Sequence, residues 1–209
     1  MNRREALKGL GLTLGYTVAA PTLLQALQSC TAKGETWSPV FFTNKEKEIV
    51  TFLVDIIIPS TDTPGGLDVN LPQFIDLMCN DTLQNTDQDL LHQGSELFAQ
   101  GFEKTFDKDI EKAKPKEVQK LLGIYFDLDK TEQDKVKFMQ SRSMDELAEN
   151  ERNNYKLYKF LLTIRNLSLI GYFSSEKIGK EVLSFDPIPG PYKPCIPVSE
   201  VGNAWSIIY

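Results

Sequence analysis

One strongly apolar stretch near the C-terminus constrains the fold more than any other part of the chain. Residues 157–170 carry hydrophobic side chains around much of a helix circumference, namely Leu157, Phe160, Leu161, Ile164, Leu167, Leu169 and Ile170. A helix with so broad an apolar surface has to be buried by neighbouring elements. The stretch therefore predicts a central helix around which amphipathic helices pack.

The upstream sequence supplies such helices and the signals that start them. A Ser or Thr precedes an acidic residue by three positions at residues 43–46, 86–89 and 143–146, in the manner of a capping box. Asn70, followed by Pro72, predicts a further helix start. Residues 127–137 fit either a loop or a short exposed helix. Since no segment alternates convincingly as a strand does, we predict an all-α fold, a single compact bundle of about six helices.

The central helix is predicted to end at Gly171, because glycine is the residue typical of helix C-termini. A hinge at residues 171–175 would follow, and Ser174 or Ser175 would cap a short helix reaching residue 183. The pattern also allows a break near residues 153–154. We expect Tyr172 and Phe173 to fold back onto the core.

A tight turn is predicted at residues 60–66, after Pro59 ends the first helix. Asp62 within it fits two roles, a metal or substrate ligand or a side chain that bonds its own turn. Its Thr, Pro and Gly neighbours favour turn bonding, and Gly is expected to supply positive φ. The turn can also serve as a loop that faces a partner protein.

The net charge of the chain limits the classes of partner that it can bind. There are 23 Lys and Arg residues against 29 Asp and Glu, which gives a net charge of -6. The first 30 residues hold Arg3, Arg4 and Lys8 against Glu5, so the remainder is more acidic still. An acidic body without a basic patch argues against nucleic acid or anionic lipid as a partner.

Residues 1–30 read as an export leader. The pair Arg3-Arg4 precedes a weakly apolar run, an order typical of a twin-arginine signal, although an ordinary N-terminal helix is the alternative. The run contains Gly and Pro and is too polar for a membrane span. Cys30 stands where a lipoprotein signal places its lipidated cysteine; cleavage near residues 19–20 or an uncleaved leader are the alternatives. We expect the protein in the periplasm or on the periplasmic face of a membrane.

Residues 31–42 read as a spacer, residues 43–185 as the helical domain and residues 186–209 as an extended proline-rich tail. Proline excludes helix and central strand from this tail and stiffens it, so docking it onto a surface costs little entropy. The tail can bind a partner or wrap its own domain. Cys79 is interpreted as a core residue, and Cys195 as an accessible thiol able to bridge to a partner chain.

The sequence lacks the motifs of a cofactor or catalytic site. It has no glycine-rich dinucleotide fingerprint, no CxxCH for haem attachment and no Cys/His cluster for a metal. His92, the single histidine, is interpreted as helix surface, which leaves a serine nucleophile without a base. We therefore predict no catalytic, cofactor-binding or metal-binding residue in this chain, and an independent hydrolase has least support.

Three segments carry a family resemblance: IIPSTDTPGG at residues 57–66, GYFSSEKIGKEVL at 171–183 and DPIPGPYKPC at 186–195. Together they resemble subunit 3 of gluconate 2-dehydrogenase, over about residues 43–197. The resemblance implies a non-catalytic small subunit beside an FAD-binding large subunit of the glucose-methanol-choline oxidoreductase type. In relatives, a cytochrome subunit commonly takes the electrons, here expected to be a haem-bearing c-type cytochrome. The small subunit carries the twin-arginine signal, escorts the large subunit through the translocase and stabilises it.

The turn, the hinge and the tail are accordingly predicted to bind the large subunit. The residues proposed for this interface are Thr61, Asp62, Pro64, Gly65, Gly171, Tyr172, Phe173, Ser174, Glu176, Pro189, Gly190, Tyr192 and Cys195. A lipidated Cys30 is not part of the generic family pattern. It supports the alternative function, a free-standing all-α envelope lipoprotein that acts as a binding module.

Overall fold

The structure is a computed structural model that describes residues 37–184, 190–191 and 194–205. The predictions for Arg3, Arg4, Cys30, Pro189 and Tyr192 lie outside these residues. Within them the helices are α1 Asn44–Ile57, α2 Leu71–Thr82, α3 Asn85–Phe106, α4 Pro115–Phe126, α5 Lys130–Gln140, α6 Glu149–Ser174, α7 Glu176–Glu181 and α8 Val198–Val201. Single 3₁₀ turns occupy Leu67–Val69, Ile110–Lys112 and Met144–Glu146. The all-α prediction and its count of about six longer helices are confirmed.

Helix α6 lies at the centre of the fold, as its apolar sequence predicts. It packs most extensively against α3 and also contacts α1, α2, α5 and α7. Its Phe160 and Ile164 are fully buried together with Phe98 and Phe102 of α3. Toward the C-terminal end of α6 a smaller part of the helix circumference is buried. Ile170 there is 57% exposed, contrary to the prediction that it is buried. Over its last turns α6 is therefore covered on one side only.

Helices α3 and α6 approach closely at Gly94. A Cβ atom at this position would lie 2.3 Å from the Lys156 carbonyl oxygen and 2.6 Å from the Phe160 Cβ. Contacts this short are repulsive, so only glycine fits without moving the α6 backbone. The glycine therefore sets the distance between the two helices that form most of the core.

The predicted helix starts differ in accuracy. At Thr43 the capping box is present: the Thr43 N–H donates to Glu46 Oε2 at 2.8 Å, and the Glu46 N–H donates to Thr43 Oγ1 at 3.2 Å. The start predicted at residues 86–89 is wrong, because α3 begins at Asn85. Gln88 instead donates its side-chain amide to the Cys79 and Asn80 carbonyls at the end of α2.

The start predicted at residues 143–146 is also wrong, because Ser143 precedes only a 3₁₀ turn and makes no side-chain cap. Helix α6 begins at Glu149, where the Ala148 N–H donates to the Glu151 carboxylate at 3.3 Å. Residues 127–137 fall largely within α5, so the exposed-helix alternative is the correct one.

The break predicted at Gly171 is wrong, and so is the one near residues 153–154, because α6 is continuous. A Cβ at Gly171 would lie 2.5 Å from Phe74 Cδ1 and 2.9 Å from Leu71 Cδ2. This glycine admits α2 to the side of α6 instead of ending the helix. Ser175 follows the true end and donates its hydroxyl to the Tyr172 carbonyl at 2.8 Å, so it does not cap α7.

A buried carboxylate fixes the residues that lead into α1. Asp76 Oδ2 accepts the Val40 N–H at 2.8 Å, and Asp76 Oδ1 accepts the Phe41 and Phe42 N–H groups at 3.1 and 2.9 Å. Three donors satisfy a charge that burial would otherwise make costly. The N-terminal end of the helical body is therefore tied to α2.

Among the described helices, none has the length and apolar character that crossing a membrane requires.

Candidate partner interface

The loop between α1 and α2, residues 58–70, is a rigid turn. The Gly66 N–H donates to the Ile58 carbonyl at 2.8 Å, and the Leu71 N–H donates to the Gly66 carbonyl at 3.1 Å. At the tip, the Thr61 N–H donates to the Thr63 carbonyl at 3.0 Å. These bonds satisfy the loop backbone internally, as the turn residues predict.

The two loop glycines serve close approach. A Cβ at Gly65 would lie 2.5 Å from the Ser60 nitrogen, and one at Gly66 would lie 2.6 Å from Val54 Cγ1. Neither glycine has a positive φ, so that part of the prediction is wrong. The left-handed residue of this region is Asn70, with φ of 55° just before α2, and its side chain makes no cap.

The carboxylate that bonds the turn belongs to Asp68, not to Asp62. Asp68 Oδ2 accepts the Gly65 N–H at 2.7 Å. This bond, together with the Ser60 hydroxyl, lowers the pKa of Asp68 below its ordinary value. Asp62 is exposed at the loop tip. Its carboxylate is therefore placed where a partner can reach it.

Tyr172 joins the loop to the end of α6. Its hydroxyl donates to the Pro64 carbonyl at 2.8 Å, across 108 residues of sequence. Gly171, buried beside it, lets α2 pack against the same turn of α6. Two segments singled out separately in the sequence thus meet in the fold.

We call the exposed part of this region the loop–junction surface. It consists of Thr61 and Asp62 from the loop and of Phe173, Ser174 and Glu176 where α6 meets α7. Phe173 is 44% exposed although aromatic. The other predicted residues here, Pro64, Gly65, Gly171 and Tyr172, are wholly or partly buried. They hold the surface in shape and present little of their own side chains.

A polar groove continues this surface along α7. It has a volume of about 410 Å³ and is lined mainly by Asp68, Asn70, Glu176, Lys177 and Lys180. Lys180 bonds Glu176 and lowers the pKa of that carboxyl. Charges of both signs line the groove, so it does not select for a strongly charged ligand.

The described end of the tail returns to the helical body. The Ser184 N–H donates to the Ala204 carbonyl at 2.9 Å, and the Asn203 side-chain amide donates to the Val182 carbonyl at 2.7 Å. For residues 203–205, the alternative in which the tail wraps its own domain is the one observed. Gly190 and Cys195 are exposed, so this part of the tail presents a free thiol to solvent.

His92 belongs to a polar cluster that the sequence did not indicate. Its Nδ1 lies 2.8 Å from Glu46 Oε1, which also accepts the Ser95 hydroxyl at 2.7 Å. The ring of Phe41 stacks on the imidazole at a centroid distance of 4.4 Å. His92 is therefore only half-exposed and is paired with Glu46, so the predicted position on the helix surface describes it incompletely. The contact joins residues 46 positions apart, so no local motif could have shown it.

The ionisation of Glu46 follows from this cluster. Burial opposes the charged form, but the Thr43 N–H, His92 and Ser95 together lower the pKa of Glu46 below its ordinary value. The Ser95 hydroxyl is buried and donates to the carboxylate instead of to the imidazole. The cluster therefore lacks the nucleophile-to-base contact of a serine hydrolase.

Cys79, unlike the exposed Cys195, is enclosed by the fold. Burial raises the pKa of Cys79 to about 12, so its thiol stays protonated within the core. Among the described residues, no three His, Cys, Asp or Glu side chains form a group that could hold a metal ion.

Comparison with known proteins gives a family match. The family model of gluconate 2-dehydrogenase subunit 3 matches residues 44–190. No curated protein and no solved structure matches the chain significantly. The matched span begins with the first residue of α1 and includes the whole loop–junction surface.

Proposed function

The chain belongs to the gluconate 2-dehydrogenase subunit 3 family, and we propose that it is the non-catalytic small subunit of an exported FAD-dependent dehydrogenase. The family match over residues 44–190 carries this proposal. Family membership implies association with a gluconate dehydrogenase complex. The chain then contributes a binding surface, and the oxidation of the sugar or sugar acid takes place in another subunit.

The proposed partner is a large subunit of the glucose-methanol-choline type that holds FAD, with a haem-bearing c-type cytochrome subunit as electron acceptor. The sequence of this chain contains neither a glycine-rich dinucleotide fingerprint nor a CxxCH motif. Both redox groups therefore belong to the other subunits in this proposal.

The loop–junction surface and the tail would bind the large subunit. Phe173 supplies an exposed aromatic side chain of the kind that often dominates interface energy. The internally bonded loop is already ordered, so it loses little conformational entropy on binding. Cys195, exposed on the tail, would lie within reach of the same partner.

In this proposal the leader serves both chains. The Arg3-Arg4 pair would direct the folded complex to the twin-arginine translocase, and a large subunit without its own signal would cross with it. Lipidation of Cys30 would then hold the complex at the periplasmic face of a membrane.

The decisive experiment is affinity purification of the tagged protein from its native envelope fraction after gentle extraction. We expect a large chain to co-purify, with the absorbance spectrum of a flavin and with dehydrogenase activity that identifies the substrate. A colourless single-chain eluate would contradict the proposal and favour the free-standing lipoprotein.

The surface itself is tested by Phe173→Glu, which places a charge in the middle of the proposed interface. We expect at least about a tenfold loss of co-purified flavin per tagged chain, as for a desolvated hot-spot residue. Ile124→Glu, at an exposed position on α4, is the matched control and should leave the ratio unchanged. Equal ratios for both variants would show that the large subunit binds elsewhere.

Export is tested by the double substitution Arg3→Lys, Arg4→Lys, with Lys8→Arg as the control. We expect the double variant to leave both chains, and the flavin, in the cytoplasmic fraction. A large subunit that still reaches the periplasm would show that it carries its own route across the membrane.

A further inference from the structure

Two apolar grooves flank Phe126 at the end of α4. The first, with a volume of about 270 Å³, lies against α1 and is lined by Leu53, Ile57, Leu122 and Leu161. The second, of about 340 Å³, lies against α5 and includes Leu128, Val136 and Leu162. Phe126 and Arg165 line both. The two grooves therefore adjoin at these two residues, and we call them together the Phe126 groove.

Helical spacing on α6 builds the floor of this groove. Leu161 and Leu162 lie three and four residues after Tyr158, and Arg165 lies four and three residues after them. All four side chains therefore share one side of the helix. The Tyr158 hydroxyl donates to the Tyr125 carbonyl at 2.9 Å, which fixes the end of α4 against α6. The groove is thus preformed, although Phe126 itself remains 41% exposed.

Helix α5 does not cover the groove. It packs against α6, yet none of its residues is buried. Val136 is only half-buried, and Phe138 is 64% exposed. Several apolar side chains on this side of the molecule are therefore left partly or largely exposed by the residues that the structure describes.

Arg165 places a positive charge in the groove. Within the part of the chain that the structure describes, its exposed guanidinium makes no hydrogen bond or ion pair. By contrast, Lys137 beside it lies 3.6 Å from Asp134. A guanidinium above apolar side chains is suited to pair with a carboxylate in two parallel hydrogen bonds.

We propose that the Phe126 groove binds a segment of a partner protein that carries aliphatic side chains and one carboxylate for Arg165. Charge argues against two other candidate occupants. The leader of this chain holds Arg3, Arg4 and Lys8 against Glu5 and would repel Arg165. A second copy carries the same net charge of -6, which opposes self-association.

The composition of the groove agrees with a protein partner. Aromatic residues and Arg are enriched in protein interfaces, and here Tyr125, Phe126, Tyr158 and Arg165 line the part of the groove that lies against α5. Its open form would leave much of a small ligand in solvent, whereas binding pockets for small molecules enclose most of their ligand. This inference goes beyond the proposed function, since it holds for any partner chain of this chemistry.

The test is site-specific photo-crosslinking in the native cells, with the full chain and its natural partners. Phe126→p-benzoylphenylalanine places the crosslinker in the groove, and the same substitution at Ile124 is a matched control on α4. Phe173→p-benzoylphenylalanine reports separately on the loop–junction surface. We expect Phe126 to crosslink to another chain, at a peptide that mass spectrometry shows to contain aliphatic residues and an Asp or Glu, and Ile124 not to do so.

The charge requirement is tested in the same experiment. Arg165→Glu should reduce the Phe126 crosslink by at least about tenfold, because the carboxylate would then meet a like charge. Lys116→Glu, the same charge change on an exposed residue of α4, should not reduce it. In the Arg165→Glu variant, replacing the partner's acidic residue with Lys should restore the Phe126 crosslink.

Three results would overturn the inference or part of it. If Phe126 gives no crosslink, or crosslinks only within this chain or to a second copy of it, then no partner protein occupies the groove. A crosslink unchanged by Arg165→Glu would remove the carboxylate from the proposal. A crosslink from Phe173 to the flavin-bearing chain without one from Phe126 would overturn this inference and leave the proposed function intact. A Phe126 crosslink to a chain that is neither the flavin-bearing subunit nor a cytochrome would support the inference and count against the proposed function.

Discussion

Helix α6 has two very different neighbours in α3 and α5. Against α3 it meets fully buried aromatic side chains, and Gly94 brings the two backbones together. Against α5 it meets a helix of 11 residues of which none is buried. Both contacts are made by the same helix, α6. The difference between them therefore lies in how closely the side chains pack and not in whether a helix forms.

The difference assigns separate tasks to the two sides. Close packing on the α3 side is expected to supply most of the folding free energy, because buried apolar area and dispersion contacts grow with it. The α5 side contributes little of either and keeps apolar groups accessible. Substitutions on the two sides should therefore differ widely in their effect on the free energy of unfolding.

The largest effect is expected for Phe160→Ala, which removes a fully buried ring between α6 and α3. Loss of its transfer free energy and the cavity left behind should lower the free energy of unfolding by about 3–5 kcal/mol. Urea denaturation followed by circular dichroism measures it. A loss below 1 kcal/mol would mean that the α3 side is not the stabilising one.

Gly94→Ala should follow, with a loss of about 1–3 kcal/mol, because its new methyl group meets the Lys156 carbonyl oxygen. Gly123→Ala in α4 is the matched control: nothing lies within 4 Å of the added Cβ, so we expect a gain of about 0.5–1 kcal/mol from helix propensity. Thermal unfolding of both proteins should give shifts of opposite sign. Shifts of the same sign would contradict the close approach of α3 and α6.

Glu46→Gln tests the polar contact between α1 and α3, with an expected loss of about 1.5 kcal/mol at neutral pH. The folded-state pKa of Glu46 is lowered, so its ionisation stabilises the fold above the ordinary value of 4.5, and this contribution disappears as pH falls through the lowered pKa. The wild-type free energy of unfolding should therefore fall more steeply than that of the variant below pH 4.5. Parallel pH curves would contradict the assigned ionisation.

The smallest effect is expected for Phe138→Ala on α5, within about 0.5 kcal/mol, since this ring is largely in solvent and its main contact is the Arg142 guanidinium at 5.7 Å. The same urea titration measures it beside Phe160→Ala. A loss above 2 kcal/mol would show that α5 packs as closely as α3 does, and the comparison would fail.

Sequence patterns predicted the features that depend on neighbours along the chain. The Thr43 and Glu46 pair lies within one turn, so its capping box could be read directly. The central position of α6 followed from its apolar residues, and the all-α class followed from the helical spacing. Two of the three segments that resemble the family, residues 57–66 and 171–183, proved to be spatial neighbours, joined by the Tyr172 bond to Pro64.

Features that depend on distant residues could not be predicted. Gly171 was interpreted as a helix end because its packing partner, Phe74, is remote in sequence. The prediction that His92 is helix surface rests on its being the single histidine, and its contact with Glu46 spans 46 residues of sequence. The same limit applies to Asp62 and Asp68: both stand in the turn, and only the fold decides which carboxylate meets the Gly65 N–H.

The three bonds from residues 40–42 to Asp76 have a mechanical consequence. A pull applied to the N-terminal side of the helical body would be borne first by the Asp76 carboxylate and pass into α2. Because Phe74 and Leu71 of α2 lie beside Gly171, part of the load would also reach the C-terminal end of α6. The N-terminal attachment is thus shared between α1 and α2, so traction there would not act on α1 alone.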